Sequence, residues 1–530
     1  MRWTRLLPLV LITCLLVGLA PGLAAAGSDS SHASKRTPPI FVPPDQPGVQ
    51  HRHYEFGPVH IRAGQNNIDY SGSQVPRPTE DGWVVGIRPN IHLADGTIPP
   101  VDVIHLHHGV WLNLSHGDAT SPGLPERFFA AGEEKTALQF PAGYGYRFNA
   151  GDNWLINYMI HDLVDRPFDL WIDYDLDFIP ASAGVAIKDA RPIWMDVQNG
   201  SVYPVFDARR GSGGDEYTYP DEATTDPYHG GTKLNTWTVP ADGVLIGTGG
   251  HLHPGGLRDD LWIDRTAPSK TRTRHLFESS AHYYEPAGAV SWDVAMTVTN
   301  PGWRPQLRAG DQLRINVTYD TERASWYEVM GIMIAWYVPG ETGTDPFAGH
   351  GVDWKRGHLT HGHLAENNNH GGGVDPDLPD ARTLPDGPLA SLVNIDNYEY
   401  APTDLDLATQ VPTIKAGGTV TFTNLDAPAF GDGTWHSITS CAAPCNQTTG
   451  VAYPLADGPI EFDSGQLGNF GEPTAGRLSW TTPADLPPGT YNFFCRVHPF
   501  MRGAFRVVAT GPPPKHDHHD HGGHHDHRHH

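Results

Sequence analysis

The stretch LWIDYDLDFIP, residues 170–180, decides the fold class of this chain. Apolar and acidic side chains alternate along it. The apolar set is Ile172, Tyr174, Leu176 and Phe178, and the acidic set is Asp173, Asp175 and Asp177. A period of two places each set on its own face of a β-strand, so we predict one core-facing side and one solvated acidic side. The aspartate spacing also suggests a calcium loop, but the glycine and the closing glutamate of such loops are missing.

Similar short alternating runs lie on both sides of this stretch, from about residue 46 to 340 and again from 391 to 510. Glycine (59 residues) and proline (48 residues) are abundant, and no long segment shows the 3.6-residue period of a helix. The sequence therefore predicts an all-β protein of successive sandwiches joined by turns. The predicted segments are a signal peptide (1–26), a flexible lead (27–45), a first sandwich (46–190), a second sandwich (191–340), a linker (341–390), a third sandwich (391–510) and a disordered His/Asp-rich tail (511–530).

The first 26 residues have the layout of a cleaved secretory signal: two arginines, an apolar run and a small-residue site ending at Ala26. A lipid anchor on Cys14 is the rival interpretation, weakened because the apolar run continues past that cysteine. No later stretch has the roughly 20 apolar residues of a membrane span. We therefore predict a secreted or otherwise extracytoplasmic protein. The formal charge of -24 argues against nucleic acid and anionic membranes as partners.

The segment FFCRVHPFMRG places Cys495, His498 and Met501 within one short loop. A thiolate, two imidazoles and a weaker thioether form the ligand set of a blue-copper electron-transfer site. His436 in GDGTWHSITSC is the candidate for the fourth ligand. Of the other cysteines in the exported chain, Cys441 and Cys445 can pair with each other, which leaves the Cys495 thiol single unless a metal occupies it.

Residues 391–510 resemble the plastocyanin/azurin family of cupredoxins, and the compact Cys-x2-His-x2-Met loop looks most like amicyanin. The resemblance implies one type 1 copper on His436, Cys495, His498 and Met501. Multicopper oxidases and copper nitrite reductases pass the electron through a histidine beside the cysteine. Here the neighbours are Phe494 and Arg496, so that route is absent and the redox partner must lie elsewhere.

Three histidine groups stand out in the larger half of the chain. They are His105, His107 and His108 in VDVIHLHHGVWLNL, His161 in WLINYMIHDLVDRP, and His251 and His253 in GVLIGTGGHLHPGG. On a strand, positions i and i+2 share a face, so the last pair can hold one metal ion. Met330 follows in GDQLRINVTYDTERASWYEVMG.

In order and spacing, residues 95–340 resemble the copper monooxygenases of the peptidylglycine α-hydroxylating and dopamine β-monooxygenase family. The resemblance implies two tandem jelly-rolls, with one copper on His107, His108 and His161. A second, oxygen-activating copper would lie on His251, His253 and Met330, with electrons crossing a solvent-filled cleft between the two. Strand geometry instead favours His105 with His107; we adopt the pair His107 and His108.

Two departures from that family matter. Residues 15–440 contain no cysteine, whereas the family's half-domains carry several disulfides. The peptide-hydroxylating enzymes hold a substrate carboxylate with an Arg, an Asn and a Tyr, and the matching positions here are Gly249, Ile332 and Ile334. A carboxylate clamp without its cation fails. We therefore expect a small or apolar substrate rather than a peptide.

The leading hypothesis is an exported copper oxidoreductase in which the cupredoxin exchanges electrons with a monooxygenase-like dicopper centre. Its partners would be dioxygen, a small-molecule substrate and an electron donor such as an ascorbate-like reductant or a redox protein. The alternative is a non-enzymatic copper buffer, favoured by the tail KHDHHDHGGHHDHRHH, which can bind metal loosely or be a purification tag. Simple electron transfer by the cupredoxin lies between these. The linker histidines His358, His361 and His363 are either part of such a reservoir or solvated linker residues.

Overall fold

The computed structural model describes residues 46–72, 75–198, 203–228, 230–231, 233–268, 270–348, 357–427, 434–468 and 476–509. The predicted signal peptide, lead and tail, and Cys14, lie outside these residues. The described residues form β-strands joined by turns and three short 3₁₀ helices, so the prediction of an all-β sandwich fold is confirmed.

The first sandwich packs a sheet ordered β1-β9-β3-β7-β10, with β6 paired to β3, against a sheet ordered β2-β8-β4-β5. Its strands are β1 (Gln50–Ile61), β2 (Ile68–Tyr70), β3 (Gly82–Leu93), β4 (Ile104–Gly117), β5 (Pro125–Gly132), β6 (Leu138–Gln139), β7 (Tyr144–Phe148), β8 (Trp154–Asp162), β9 (Phe168–Pro180) and β10 (Lys188–Asp189). A 3₁₀ helix, Ala181–Ala183, follows β9. Large aromatic side chains such as Trp111, Trp154 and Tyr174 fill the space between the sheets.

Strand β9 contains the stretch that predicted the fold, and its apolar face is fully buried. The prediction of a solvated acidic face is wrong, because the side chains of Asp173 and Asp177 are also buried. Strand β9 lies between β1 and β3 in the same sheet, and a side chain from each neighbour contacts Asp177. Both oxygens of Asp177 bind the Arg88 guanidinium at 2.7 and 2.8 Å, and His51 Nδ1 lies 2.7 Å from Oδ1.

The second sandwich is one long sheet, ordered β11-β22-β15-β18-β17-β16-β20-β13, whose halves enclose a core, with the separate pair β12-β21 beside it. Its strands are β11 (Arg191–Asp196), β12 (Phe206–Ala208), β13 (Glu216–Tyr219), β14 (Thr236–Thr238), β15 (Gly243–Leu252), β16 (Gly256–Ala267), β17 (Lys270–Tyr283), β18 (Val294–Thr299), β19 (Gln306–Leu307), β20 (Gln312–Asp320), β21 (Trp326–Val329), β22 (Gly331–Pro339) and β23 (Gly357–Leu359).

The third sandwich packs a sheet ordered β24-β27-β32-β31-β29 against one ordered β26-β25-β28-β30. Its strands are β24 (Asp386–Leu389), β25 (Leu392–Asp396), β26 (Glu399–Ala401), β27 (Val411–Lys415), β28 (Thr421–Asn424), β29 (Thr439–Cys441), β30 (Ser479–Thr481), β31 (Gly489–Phe494) and β32 (Arg502–Val508). A 3₁₀ helix spans Pro454–Asp457. A disulfide joins Cys441 to Cys445, and Cys495 is a free buried cysteine. Tyr453 and Phe494 belong to the same buried cluster as the core of the second sandwich.

Residues 357–373, here called the connector, contact all three sandwiches. Strand β23 pairs with β18, and a 3₁₀ helix spans Ala365–Asn367. The Asn369 side chain donates to Asp102 Oδ2 at 2.7 Å and to the Thr449 carbonyl at 2.9 Å. The predicted domain boundaries stay predictions. Within the described ranges, no helix has the length and apolar character to cross a membrane.

Candidate metal centres

The loop between β31 and β32 brings together the ligands that the sequence predicted for the third sandwich. Cys495 Sγ lies 3.8 Å from His436 Nδ1 and 3.7 Å from His498 Nδ1, and the two imidazole nitrogens are 3.1 Å apart. All three residues are buried. Met501 is buried in the same core cluster as Cys495. These four residues are called the Cys495 site below.

Hydrogen bonds fix the outward side of each imidazole. His436 Nε2 binds Asp426 Oδ2 at 2.9 Å, and His498 Nε2 donates to the Gly64 carbonyl of the first sandwich at 2.8 Å. The backbone N–H groups of Ser437 and His498 donate to Cys495 Sγ at 3.3 and 3.4 Å. Both Nδ1 atoms are therefore directed at the thiol, as required of metal ligands whose second nitrogen is held by an outer partner.

Electrostatics at the Cys495 site favour a thiolate. Burial raises the pKa of the Cys495 thiol, but His436 and the backbone donors lower it more, and the net direction is down. Burial lowers the pKa of His436, while Asp426 and Cys495 raise it more. Burial, with the neighbouring His436 and His161, holds the pKa of His498 well below its ordinary value. A soft thiolate, two imidazoles and a nearby thioether fit copper.

Gly64 is the point of closest approach between the first sandwich and this site. Its φ is +65°, and an added Cβ would lie 2.9 Å from the Tyr398 ring and 3.1 Å from the His498 ring. Glycine is therefore required here for two reasons: a left-handed backbone and the close packing of one sandwich against a ligand of the other.

A β-bulge in β4 interrupts the regular pairing with β8 within the first histidine group. His105 pairs with His161 of β8, and the register shifts so that His108 pairs with Met159 while His107 is the extra residue. Directly opposed residues on neighbouring strands share a face. The bulge therefore interrupts the period of two between His105 and His108, so sequence parity alone does not assign these rings to faces.

The structure groups His105, His107 and His161, whose potential ligand atoms lie within 4.8 Å of one another. The structure therefore places His105 rather than His108 with His107 and His161, as the period of a single strand favours, and the ligand set itself stays a prediction. Trp292 packs against this group, with ring centroids 4.8 Å from His105 and 5.2 Å from His161.

His108 lies instead on the side of His251 and Met330, and all three line one cavity. The rings of His251 and His253 are 5.4 Å apart. The Tyr319 hydroxyl accepts from the His253 backbone N–H at 3.1 Å and donates to the Met330 carbonyl at 2.7 Å. Strand β20 thus holds the segments that carry the predicted set of His251, His253 and Met330.

The two predicted ligand sets are adjacent. The ring centroids of His107 and His253 are 4.4 Å apart, so no solvent-filled cleft separates these two rings, and in this respect the expectation of separated sites is wrong. His105 and the five histidines of the two predicted sets form what is called the histidine layer: His105, His107, His108, His161, His251 and His253.

Several rings of the histidine layer have a buried nitrogen without a hydrogen-bond partner among the described residues. His105 Nδ1 donates to the Val101 carbonyl at 2.6 Å, which leaves Nε2 without a hydrogen-bond partner among the described residues. The same holds for Nδ1 of His161 and for Nε2 of His251, whose other nitrogens bind the Val497 carbonyl and Glu134 Oε2. Buried polar atoms are rarely left unpaired. One fixed and one open nitrogen per ring is the arrangement expected of metal ligands.

Burial keeps most rings of the layer neutral, as ligation requires. It lowers the pKa of His161 to about 3 and holds the pKa of His105, His108 and His253 well below the ordinary value, with further lowering from neighbouring imidazoles. For His251, burial lowers the pKa, but the Glu134 carboxylate raises it more.

Several residues at these centres had no signal in the sequence. Glu134 binds His251 Nδ1 at 3.0 Å, and Glu133 lies 3.5 Å from His107 Nδ1, both carboxylates being buried. A pair of acids after a strand usually belongs to a solvated turn, so only their contacts with His251 and His107 in the folded chain identify them. Asp426 and Gly64 were also missed, because their contacts with His436 and His498 arise only in the folded chain.

His161 connects the two centres. Its Nε2 donates to the carbonyl of Val497 at 2.6 Å, and Val497 lies between the ligands Cys495 and His498. Arg496 fixes the same loop to the second sandwich, because its guanidinium binds the Ser325 carbonyl and stacks on Trp326. The loop that carries the thiol is therefore held by both preceding sandwiches.

An apolar cavity of about 190 Å³ opens beside His108, His251 and Met330. Its wall is mainly aliphatic and aromatic: Val110, Leu112, Leu114, Leu124, Leu155, Trp194 and Ile332. A second cavity also reaches His251 and is lined by Gly249, Ile332 and Ile334, the positions where a carboxylate clamp would be needed. Arg88 on that wall is already neutralised by Asp177.

Comparison with known proteins gives little for this chain. No protein family and no curated protein matches it. Solved structures of amicyanin match in part. The oxidised state of a proline-to-alanine mutant is 22% identical, covers 22% of this chain and 82% of its own, and has a TM-score of 0.14. The Cu(I) form of a methionine-to-alanine mutant is 22% identical, covers 26% and 96%, and has the same TM-score. Similarity this weak carries no argument about function. Nothing in these comparisons supports the monooxygenase resemblance, which stays a prediction.

Proposed function

We propose that this protein is a copper-dependent oxidoreductase in which the Cys495 site exchanges electrons with a metal centre in the histidine layer, where dioxygen hydroxylates a small apolar molecule. The single observation that carries the proposal is the hydrogen bond from His161 Nε2 to the Val497 carbonyl, at 2.6 Å. It joins a residue of the histidine layer to the loop that bears Cys495.

Copper held at these two centres would supply one-electron transfer and dioxygen chemistry. The residues present fit it, because the Cys495 site offers thiolate and imidazole, and the histidine layer offers open imidazole nitrogens. Hydroxylation of R–H to R–OH consumes one dioxygen, two electrons and two protons, and releases one water. The electrons must come from an external one-electron donor of the ascorbate class or from a redox protein.

The surroundings of His498 support internal rather than external electron exchange. Its ring is buried against Gly64, and its outward nitrogen is already bonded to that glycine. A soluble partner therefore has no access to this imidazole edge. The peptide path from Cys495 through Arg496 to Val497, followed by the bond to His161, is the short connection that the fold provides.

The apolar cavity indicates the substrate class. Its volume of about 190 Å³ slightly exceeds the ~150 Å³ of apolar cavities that bind benzene. Its polar lining is sparse, and Arg127 on its wall is bound to Asp118 at 2.9 Å. A small apolar molecule placed here would lie against His108, His251 and Met330, and the walls would exclude water from that space.

The test is single-turnover oxidation of the fully reduced, copper-loaded protein. Wild-type protein should consume more dioxygen per chain than Cys495→Ser protein and should reoxidise faster, because the variant lacks one stored electron. If the variant consumes dioxygen with unchanged rate and stoichiometry, the relay between the two centres does not exist. If neither protein consumes dioxygen and only one copper binds tightly, the protein is a copper carrier.

A further inference from the structure

Four metal-ligating side chains meet on the connector, away from both centres described above. Asp293 and Glu285 flank β18 and β17 of the second sandwich, and His363 and His370 belong to the connector. These residues are called the connector cluster. Potential ligand atoms of Asp293, His363 and His370 lie within 4.8 Å of one another.

Each imidazole of the cluster already faces a carboxylate. His363 Nδ1 lies 2.6 Å from Asp293 Oδ2, and His370 Nδ1 lies 2.8 Å from Glu285 Oε2. The two rings are 5.3 Å apart between centroids. The Asp293 side chain is fully buried, whereas both imidazoles are about one-third exposed. The cluster therefore has one buried carboxylate, Asp293, and two imidazoles that a cation can reach from solvent.

We propose that the connector cluster is a binding site for one divalent zinc-like cation, held by His363, His370 and Asp293, with Glu285 as a fourth or outer ligand. Two imidazoles with carboxylate oxygens form a common zinc ligand set. The cation would replace the proton that now lies between each imidazole nitrogen and its carboxylate partner, and binding would release protons. This inference does not depend on the proposed oxidoreductase function.

The bound cation would fasten the connector to the second sandwich. Asn367 Nδ2 donates to Asp293 Oδ1 at 3.1 Å, and Asn367 Oδ1 accepts from the Val101 N–H at 3.3 Å. Thr360 Oγ1 donates to the carbonyl of Glu134, the residue that holds His251. Cation binding at the cluster would therefore stabilise a segment that contacts Glu134 and Val101, the residues that hold His251 and His105, without touching those rings.

The experiment is a zinc titration of the full-length, copper-loaded chain, followed by metal analysis after gel filtration. Wild-type protein should retain one more Zn²⁺ per chain than the double variant His363→Gln/His370→Gln. His60→Gln is the matched control, because His60 also pairs with a carboxylate, Asp169 at 3.0 Å, but is not part of the cluster. The control should retain the same amount of Zn²⁺ as wild type.

Limited proteolysis gives a second readout: Zn²⁺ should slow cleavage within residues 357–373 in wild type and in His60→Gln but not in the double variant. If the double variant fails to fold, anomalous diffraction from wild-type crystals soaked in Zn²⁺ decides. A peak between Asp293, His363 and His370 supports the site. Equal zinc retention in all variants, or the absence of that peak, overturns it.

Discussion

The Cys495 site and the histidine layer use the same imidazole ligand in two different settings. In the Cys495 site, the ligands come from one sandwich, and both imidazoles are aimed at the thiol by Asp426 and Gly64. In the histidine layer, ligands come from two sandwiches, and their open nitrogens lie next to cavities. The first arrangement suits electron storage without substrate, and the second suits a reaction that needs one.

Different structural elements position the residues of the two sites. The Cys495 site depends on one loop, on His436 and on their outer hydrogen bonds, and the first sandwich contacts it through residues such as Gly64 and His161. The histidine layer depends on the relative placement of β4, β8 and β15, since none of these strands carries a full set alone. Substitutions where the third sandwich contacts the first should therefore slow electron transfer between the two sites more than they disturb the candidate ligands of either site.

The largest effect is expected for Gly64→Ala. Its left-handed backbone costs an alanine about 1–2 kcal/mol, and the Cβ would collide with the rings of Tyr398 and His498, which adds about 1–3 kcal/mol of overpacking. We expect the free energy of unfolding to fall by about 3 kcal/mol, with a disturbed visible spectrum of the Cys495 site. Denaturant unfolding and absorption spectroscopy measure both.

Gly72→Ala is the matched control for that change. Gly72 has φ +64°, almost identical to Gly64, but an added Cβ would meet no atom within 4 Å. Its loss of stability should stay near the backbone cost alone, about 1–2 kcal/mol, with an unchanged spectrum. Equal losses in the two variants would show that the contact with His498 does not matter.

Local sequence patterns predicted the features that depend only on residues close together in the chain. The alternation in residues 170–180 predicted β9, and the spacing of Cys495, His498 and Met501 predicted one loop of ligands. Burial of Asp177 could not be predicted, because it depends on Arg88 in the neighbouring strand.

Features that depend on how the sandwiches dock could not be predicted either, because they involve residues that are far apart in the sequence. The period of a single strand favoured His105 with His107, and the structure groups these two rings with His161; the preference for His108 came from the family resemblance. The contact of His161 with Val497 joins residues 336 positions apart. It requires the third sandwich to dock on the first, and no local pattern encodes that docking.

Acid should weaken the metal-free protein mainly through the histidine layer. The folded pKa of His161 is about 3, below the ordinary unfolded value of about 6.5, so the unfolded chain binds more protons and stability falls as pH drops below that value. For this one ring the loss between pH 7 and pH 5 is about 2 kcal/mol. His161→Phe should remove that share of the pH dependence, measured by denaturant unfolding at both pH values.

The metal-loaded protein provides the control, because ligated nitrogens cannot take up protons and its stability should change less over the same range. If His161→Phe shows the full wild-type pH dependence without metal, the ring is not buried and neutral as described. In the Cys495 site the pKa of His436 is raised while that of His498 is lowered, so the two imidazoles change the stability in opposite directions as the pH falls.

The smallest expected effect concerns the hydrogen bond between the two sites. His161→Phe removes both the open nitrogen and the donor to Val497, whereas His161→Gln can place an amide N–H where Nε2 now donates. At equal copper occupancy, both variants should keep the spectrum of the Cys495 site. We expect reoxidation of that site by dioxygen to be about tenfold slower in the phenylalanine variant than in the glutamine variant, which corresponds to about 1.4 kcal/mol in the barrier. Stopped-flow absorption of the blue centre measures this rate, and equal rates would mean that electrons do not pass along this bond.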